Sequence, residues 1–209
     1  MDMDVEFFIK KFNVSRETIE KLKKYKDFLL ISNKYLNLIG KTTENQIFTR
    51  HFADSAQIYH IIDDKSEIID LGSGAGFPGV LLRILMDDKK ISGNITLIDK
   101  SSKKCKFLHD LSDRLSLTLK IANLKIENYK FDKISTVVSR AFKKTIDVID
   151  ILFRNNDKIR NIILIKGKTY QQELEDAKKK YTFDVEKFRS ITSDESYILK
   201  INNIRFNTT

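Results

Sequence analysis

Ile68-Ile69-Asp70-Leu71-Gly72-Ser73-Gly74-Ala75-Gly76-Phe77-Pro78-Gly79 reads as a buried strand, a tight turn and a helix start. Ile68, Ile69 and Leu71 make the short apolar run of a parallel strand covered on both faces. Asp70 sits where the strand runs out. Glycines then alternate at 72, 74 and 76, so the backbone can turn with positive φ and lie against a ligand. Pro78 suits a first helical turn, and the N-terminus behind it is expected to offer free N–H groups to a ligand. The chain has only 7 glycines, and four of them stand in this stretch.

Working outward, the next strand should end in a carboxylate. Asn94-Ile95-Thr96-Leu97-Ile98-Asp99 supplies it, 23 residues after Gly76. That is the spacing of an acid that binds ribose hydroxyls. An adenosine-containing cofactor follows. The dinucleotide fingerprint is G-x-G-x-x-G/A, whereas here Phe77 holds the sixth position. Asp70 beside the first glycines suits the ammonium and sulfonium of S-adenosylmethionine better than a pyrophosphate. The stretch therefore favours a methyltransferase over a dehydrogenase.

Further motifs follow in order: Tyr35-Leu36-Asn37-Leu38, Arg50-His51-Phe52-Ala53-Asp54-Ser55, Lys103 to Leu108, Ser139-Arg140-Ala141-Phe142 and Leu164-Ile165-Lys166-Gly167. With the glycine loop they make the chain resemble the RsmG (GidB) family, the 16S ribosomal RNA guanine-N7 methyltransferases, over about residues 35–167. The resemblance implies an α/β, class I (Rossmann-like) S-adenosylmethionine-dependent methyltransferase. Its sheet has seven mostly parallel strands, with an N-terminal helical extension over 1–64, a Rossmann-like core over 65–209 and one domain in all. It further implies a cytoplasmic, monomeric protein acting on 16S rRNA or the small ribosomal subunit, with no membrane and no metal.

Bulk properties agree with that class. The 209 residues are 41% hydrophobic, enough for one full core. No apolar run approaches a membrane span, and Met1-Asp2-Met3-Asp4 lacks the shape of a signal peptide. A lone cysteine, Cys105, excludes an internal disulfide and a Cys-cluster zinc site; it reads as core filler. The net charge of +9 is concentrated in residues 121–209 and fits a polyanionic partner or a lysine-rich wet surface.

In chain order, residues 4–61 read as helical. Ser15 caps a helix carrying Ile19, Leu22, Tyr25, Leu29 and Leu30, and Thr43-x-x-Gln46 forms a capping box for the next. Arg50 and His51 on that next helix are expected to contact RNA, chiefly on the resemblance, with a structural histidine as the alternative. Ser101–Arg114 reads as a helix whose Lys100, Lys103 and Lys104 share a face, either solvated or touching phosphate. Strands are expected over 117–122, 132–139 and 161–166, then a helix over 170–180 and strands near 181–191 and 196–204. The tail from Asn207 should fray.

The turn Lys125-Ile126-Glu127-Asn128 lies where methyltransferases of this fold hold the adenine, which implicates Ile126 and Glu127. Gly72, Gly74, Gly76, Phe77, Asp99 and Arg140 complete the expected cofactor site. Ser139-Arg140-Ala141-Phe142 ends a strand, where an open parallel sheet binds its ligand. Arg140 can hydrogen-bond guanine O6 or N7 or pair with a cofactor carboxylate. It is the residue expected to position the reaction. Phe142 can stack on a flipped base, and Lys166 is a further RNA candidate; for Arg140 and Phe142 the plainer roles are a structural ion pair and a core ring.

Absences narrow the acceptor. The single proline leaves no Asp/Asn-Pro-Pro-aromatic motif for amino methylation and no Pro-Cys nucleophile. Guanine N7 needs neither a base nor a nucleophile, only alignment. Two competing readings stand beside this one. The first is an NAD(P)-dependent oxidoreductase using Tyr129 and Lys133, whose spacing falls at the start of a strand rather than on a helix. The second is a non-enzymatic RNA-binding assembly factor with a degenerate fold.

Overall fold

The computed structural model describes residues 3–207; Met1, Asp2, Thr208 and Thr209 lie outside the described residues. Of the tail expected to fray, Asn207 is held instead: its N–H donates to the Lys180 carbonyl, its Nδ2 donates to the Lys178 carbonyl and its Oδ1 accepts from Thr182. The seven strands are β1 (Glu67–Leu71), β2 (Asn94–Asp99), β3 (Lys120–Asn123), β4 (Ser135–Arg140), β5 (Ile159–Lys166), β6 (Tyr181–Arg189) and β7 (Tyr197–Phe206). They form one sheet in the order β3-β2-β1-β4-β5-β7-β6. β1 pairs parallel with β2 and β4, whereas β7 runs antiparallel between β5 and β6. The chain order reverses between β1 and β4. In open α/β sheets the ligand crevice lies at such a switch point, beyond the carboxyl ends of the strands.

Burial follows pattern. In β1 Ile68 and Ile69 serve opposite faces and both are covered, while Tyr181 and Phe183 of edge strand β6 alternate with exposed Thr182 and Asp184. Helices α1 (Met3–Phe12), α2 (Arg16–Leu36), α4 (Gly79–Asp88) and α5 (Ser102–Leu115) cover one face, joined in one apolar cluster with Ile68, Leu97 and Val138. Helices α6 (Thr145–Phe153) and α7 (Tyr170–Lys178) cover the other, with Ile69, Val137 and Leu164. The N-terminal helices thus share the core of the sheet. Tyr25 of α2 packs at 5.0 Å from Phe52 and 5.7 Å from Phe77 between ring centroids.

Several local expectations needed correction. Ser15 does cap α2, accepting from the Thr18 N–H. Thr43-x-x-Gln46 forms no capping box, because Thr43 Oγ1 donates to the Gly40 carbonyl instead. Residues 41–60 run through 3-10, π and 3-10 turns around one α-helical turn, α3 (Asp54–Ala56). The third strand starts only at Lys120, and the fourth at Ser135. Helix α6 went unread: Ile and Val dominate Thr145–Phe153 and mask its period. Tyr129 and Lys133 stand off any helix, beside a cavity of about 330 Å³ at the amino ends of the strands, and Lys133 pairs with Glu67 at 2.7 Å.

Candidate active site

Two turns meet at the switch point, one after β1 and one at the end of β4. The first is held almost entirely by its own backbone. The Gly72 and Ser73 N–H groups both donate to the Ile98 carbonyl, at 2.8 and 3.1 Å. Asp99 accepts from the Gly74 N–H at 3.0 Å and from the Ser101 N–H at 2.8 Å, and so ties the loop to β2 and to the start of α5. Gly76 has φ +95°, and a Cβ there would lie 2.5 Å from Val80 and 2.8 Å from the Tyr25 hydroxyl. That hydroxyl donates to the Ala75 carbonyl, so α2 buttresses the loop from behind.

Asp70 is placed differently from the sequence reading. It is fully buried beneath the loop, and its Oδ2 accepts from the Gly79 N–H at 3.0 Å. The N-terminus of α4 is therefore occupied by the chain's own carboxylate and offers nothing there to a ligand. The other oxygen, Oδ1, has no hydrogen-bond partner. Burial outweighs the Gly79 bond and pushes Asp70 up to about 7.

The second turn is held by side chains from distant segments. Arg140 ends β4, and its Nε pairs with Asp54 Oδ2 at 2.8 Å. Its terminal nitrogens donate to His51 Nδ1 at 3.2 and 3.3 Å, and Nη2 also donates to the Arg50 carbonyl at 2.9 Å. Arginine can only donate, so His51 Nδ1 is an acceptor and the ring proton sits on Nε2. From there it reaches Thr43 Oγ1 at 2.7 Å. Burial, then the Arg140 charge, holds His51 down to about 3, so the imidazole is neutral. The His51 ring stacks on Phe77 at 5.4 Å, and Arg140 lies over the same ring. Asp54 Oδ1 accepts from Gln57 and from Thr192, which joins the β6–β7 connection to this network.

Between the two turns lies a cavity of about 290 Å³. Its floor is the Gly72–Ala75 backbone, its far wall His51, Phe77 and Arg140, and its rim Leu38–Gly40 and Lys104. A Cβ on Gly74 would have no neighbour within 3.7 Å, so a side chain there would stand in the cavity. A Cβ on Gly72 would meet the Phe142 ring at 2.2 Å. Ala141 between Arg140 and Phe142 has φ +51°, an uncommon conformation for alanine, and this bend lays Phe142 on the loop.

Of the expected RNA contacts, Arg50, Lys100 and Lys103 are exposed. His51 is not: it is buried within the Arg140 network, held by Arg140, Thr43 and the Phe77 ring. Lys166 is also corrected. It is buried, and its Nζ pairs with Glu173 at 2.8 Å, fastening β5 to α7. Of the adenine turn, Ile126 is buried in the core and Glu127 is exposed; neither lines the cavity. Cys105 is buried as filler, donating to the Asp99 carbonyl. Sequence reasoning named Leu38 and Asp54 only as members of motifs, and Lys104 as solvated or touching phosphate; it missed that Leu38–Gly40 and Lys104 line the cavity and that Asp54 holds Arg140. Among the described residues no cluster of three His, Cys, Asp or Glu side chains is poised for a metal, and no helix is long and apolar enough to cross a membrane.

A reversed-order parallel sheet closed by an antiparallel hairpin, with a glycine loop at the switch point, is the class I methyltransferase fold. Solved structures agree. The ribosomal protein L11 methylase of Lactobacillus delbrueckii subsp. bulgaricus superposes with a TM-score of 0.56 at 13% identity, covering 78% of this chain and 80% of that one. The tRNA (uracil-54, C5)-methyltransferase of Pyrococcus abyssi, solved with S-adenosyl-L-homocysteine, superposes with a TM-score of 0.50 at 11% identity, over 69% of this chain and 36% of that one. The family described as GidB, rRNA small subunit methyltransferase G, matches residues 18–200, and the chain belongs to it. Proteins named ribosomal RNA small subunit methyltransferase G are similar throughout. That of Pelagibacter ubique is 35% identical over 201 residues, 94% of each chain. That of Orientia tsutsugamushi is 37% identical over 193 residues, covering 91% of this chain and 93% of its own.

Proposed function

We propose that this protein transfers the methyl group of S-adenosylmethionine to N7 of a guanine in 16S rRNA, working as a single methyltransferase domain over 1–209. The observation that carries the reading is the cavity between the glycine loop and Arg140, at the switch point of a chain in this family. The residues present fit the cofactor. Bare backbone at Gly74 leaves room for it, and Lys104 and Arg140 are cations suited to its carboxylate. Asp99, the acid expected at the ribose, is buried outside the cavity lining, with its two oxygens on the Gly74 and Ser101 N–H groups. When bound, the cofactor supplies an electrophilic methyl on a sulfonium.

The chain's own part is alignment and exclusion of water. Guanine N7 carries a free lone pair, so no proton need be removed. The site agrees: His51, the imidazole nearest the cavity, has both nitrogens engaged and stays neutral. Arg140, fixed on Asp54, His51 and the Arg50 carbonyl, keeps one Nη1 N–H without a partner, to which guanine O6 can serve as acceptor. Rigid placement of this kind is the main source of rate for such a transfer.

The test is transfer of labelled methyl from S-adenosylmethionine to small-subunit rRNA lacking the modification, offered as free RNA and as subunits. Borohydride and aniline treatment then cleaves at 7-methylguanosine. One cleavage site is expected. Labelling without cleavage would move the acceptor off N7, and no labelling of either substrate would overturn the reading.

A further inference from the structure

We infer that Tyr35, with Ile31, forms a platform on which an unpaired base of the RNA, next to the acceptor nucleotide, stacks; this rests on the rRNA methyltransferase reading above. Tyr35 is 81% exposed and Ile31 60%, the two most exposed large apolar side chains among the described residues. They stand four residues apart on α2, so they share one face of its last turns.

Their position ties them to the cavity. Helix α2 ends at Leu36, and Leu38–Gly40 form the cavity rim directly after it. Asn33, buried, clamps that rim to the helix: its Oδ1 accepts from the Ile39 N–H at 2.9 Å and its Nδ2 donates to the Ile39 carbonyl at 3.1 Å. Phe28 of α2 stacks on Phe107 of α5 at 5.3 Å. From that contact α2 runs forward to the rim, and α5 runs back to Lys104 on the same cavity. Tyr35 therefore stands three residues before Leu38, the first residue of the cavity lining, on a rigid support.

Charge identifies the occupant. Lys34 adjoins Tyr35, Lys41 follows the rim, Lys100 stands just before α5 and Lys103 in its first turn; all four are exposed and none makes an ion pair. The acids on this face of α2, Glu17, Glu20 and Asp27, all lie two or more turns back from Tyr35. Two apolar side chains are far too few for a protein interface. An aromatic face ringed by free ammonium groups suits a single-stranded nucleic acid, whose base stacks while its phosphates meet the lysines.

The chain contains no tryptophan, so Tyr35→Trp installs a single indole reporter at the platform. Addition of unmodified small-subunit rRNA should quench its emission, and Tyr35→Leu should raise KM for RNA about tenfold with kcat little changed. Tyr35→Phe should stay near the parent, because it keeps the π-face. Equal KM for the leucine and phenylalanine variants, with no quenching while methylation proceeds, would overturn the platform and leave the proposed function standing. Quenching by intact subunits but not by free RNA that is still methylated would overturn it in favour of a ribosomal protein contact. Absence of both methylation and quenching would overturn it together with the function.

Discussion

The two turns that face each other across the cavity are built on opposite principles. After β1, Gly72, Ser73 and Gly74 are held by Ile98 and Asp99, main chain to the end of the neighbouring strand. After β4, Arg140 is held by Asp54, His51 and the Arg50 carbonyl, from a segment some ninety residues away, and Asp54 leans in turn on Thr192. The first turn is a local device that tolerates little change of backbone. The second is an assembly whose geometry depends on charge and on hydrogen-bond direction. Substitutions should therefore break the first through shape and the second through chemistry.

The largest expected effect separates two glycines of one loop. Gly76→Val must place a side chain against Val80 and the Tyr25 hydroxyl at φ +95°. Overpacking and backbone strain together should cost about 3 kcal/mol or more, read as a lowered midpoint in urea. Gly74→Val is also strained, at φ +54°, but its Cβ meets nothing closer than 3.7 Å; it should lose less stability than Gly76→Val, while the branched side chain would fill the cavity and abolish cofactor binding by calorimetry. If both variants fold and bind alike, the loop is not divided into a packed half and a ligand half.

Next in size is Arg140→Lys. It keeps the charge and loses the fork that reaches Asp54, His51 and the Arg50 carbonyl at once. Turnover should fall about 100-fold, the scale of a misplaced positioning group, with the fold intact by circular dichroism. Cofactor affinity decides which side of the cavity Arg140 serves. Affinity near that of the parent assigns it to the acceptor; a parallel loss would move it to the cofactor.

The same contrast explains what could be read in advance. The glycine loop, Asp99 and the strands that carry them were legible because each is local: apolar runs, glycines and a carboxylate at set spacing. The Arg140 turn was legible only in part. Ser139-Arg140-Ala141-Phe142 marks a strand end, but nothing in the chain tells that His51 accepts from Arg140 rather than facing RNA. Lys166 misled for the same reason, because its partner Glu173 lies on the next helix and the pairing is a product of packing. Asp70 was placed beside a ligand, since a carboxylate before a glycine loop does not reveal that the helix behind it will take the charge.

The most gradual effect is a pair of opposed pH slopes, one from each turn. Asp70 is held up to about 7 in the folded chain, whereas an unfolded aspartate releases its proton near pH 4. Its stabilisation is complete below pH 4 and is lost as pH rises to 7. His51 is held down to about 3, whereas an unfolded histidine takes its proton near pH 6.5. Its contribution is complete above pH 6.5 and is lost as pH falls toward 3. Between pH 4 and 6.5 the two slopes oppose, each at most about 1.4 kcal/mol per pH unit. Asp70→Asn should therefore gain on the parent as pH rises from 4 to 7, and His51→Asn as pH falls from 6.5. Urea unfolding of the ligand-free proteins at pH 5, 6 and 7 reads both differences. Two flat differences would mean that neither group is desolvated as the geometry requires. A slope in Asp70→Asn alone would show that the cavity wets His51 in solution, and so that the Arg140 assembly, not the glycine loop, is the half that opens.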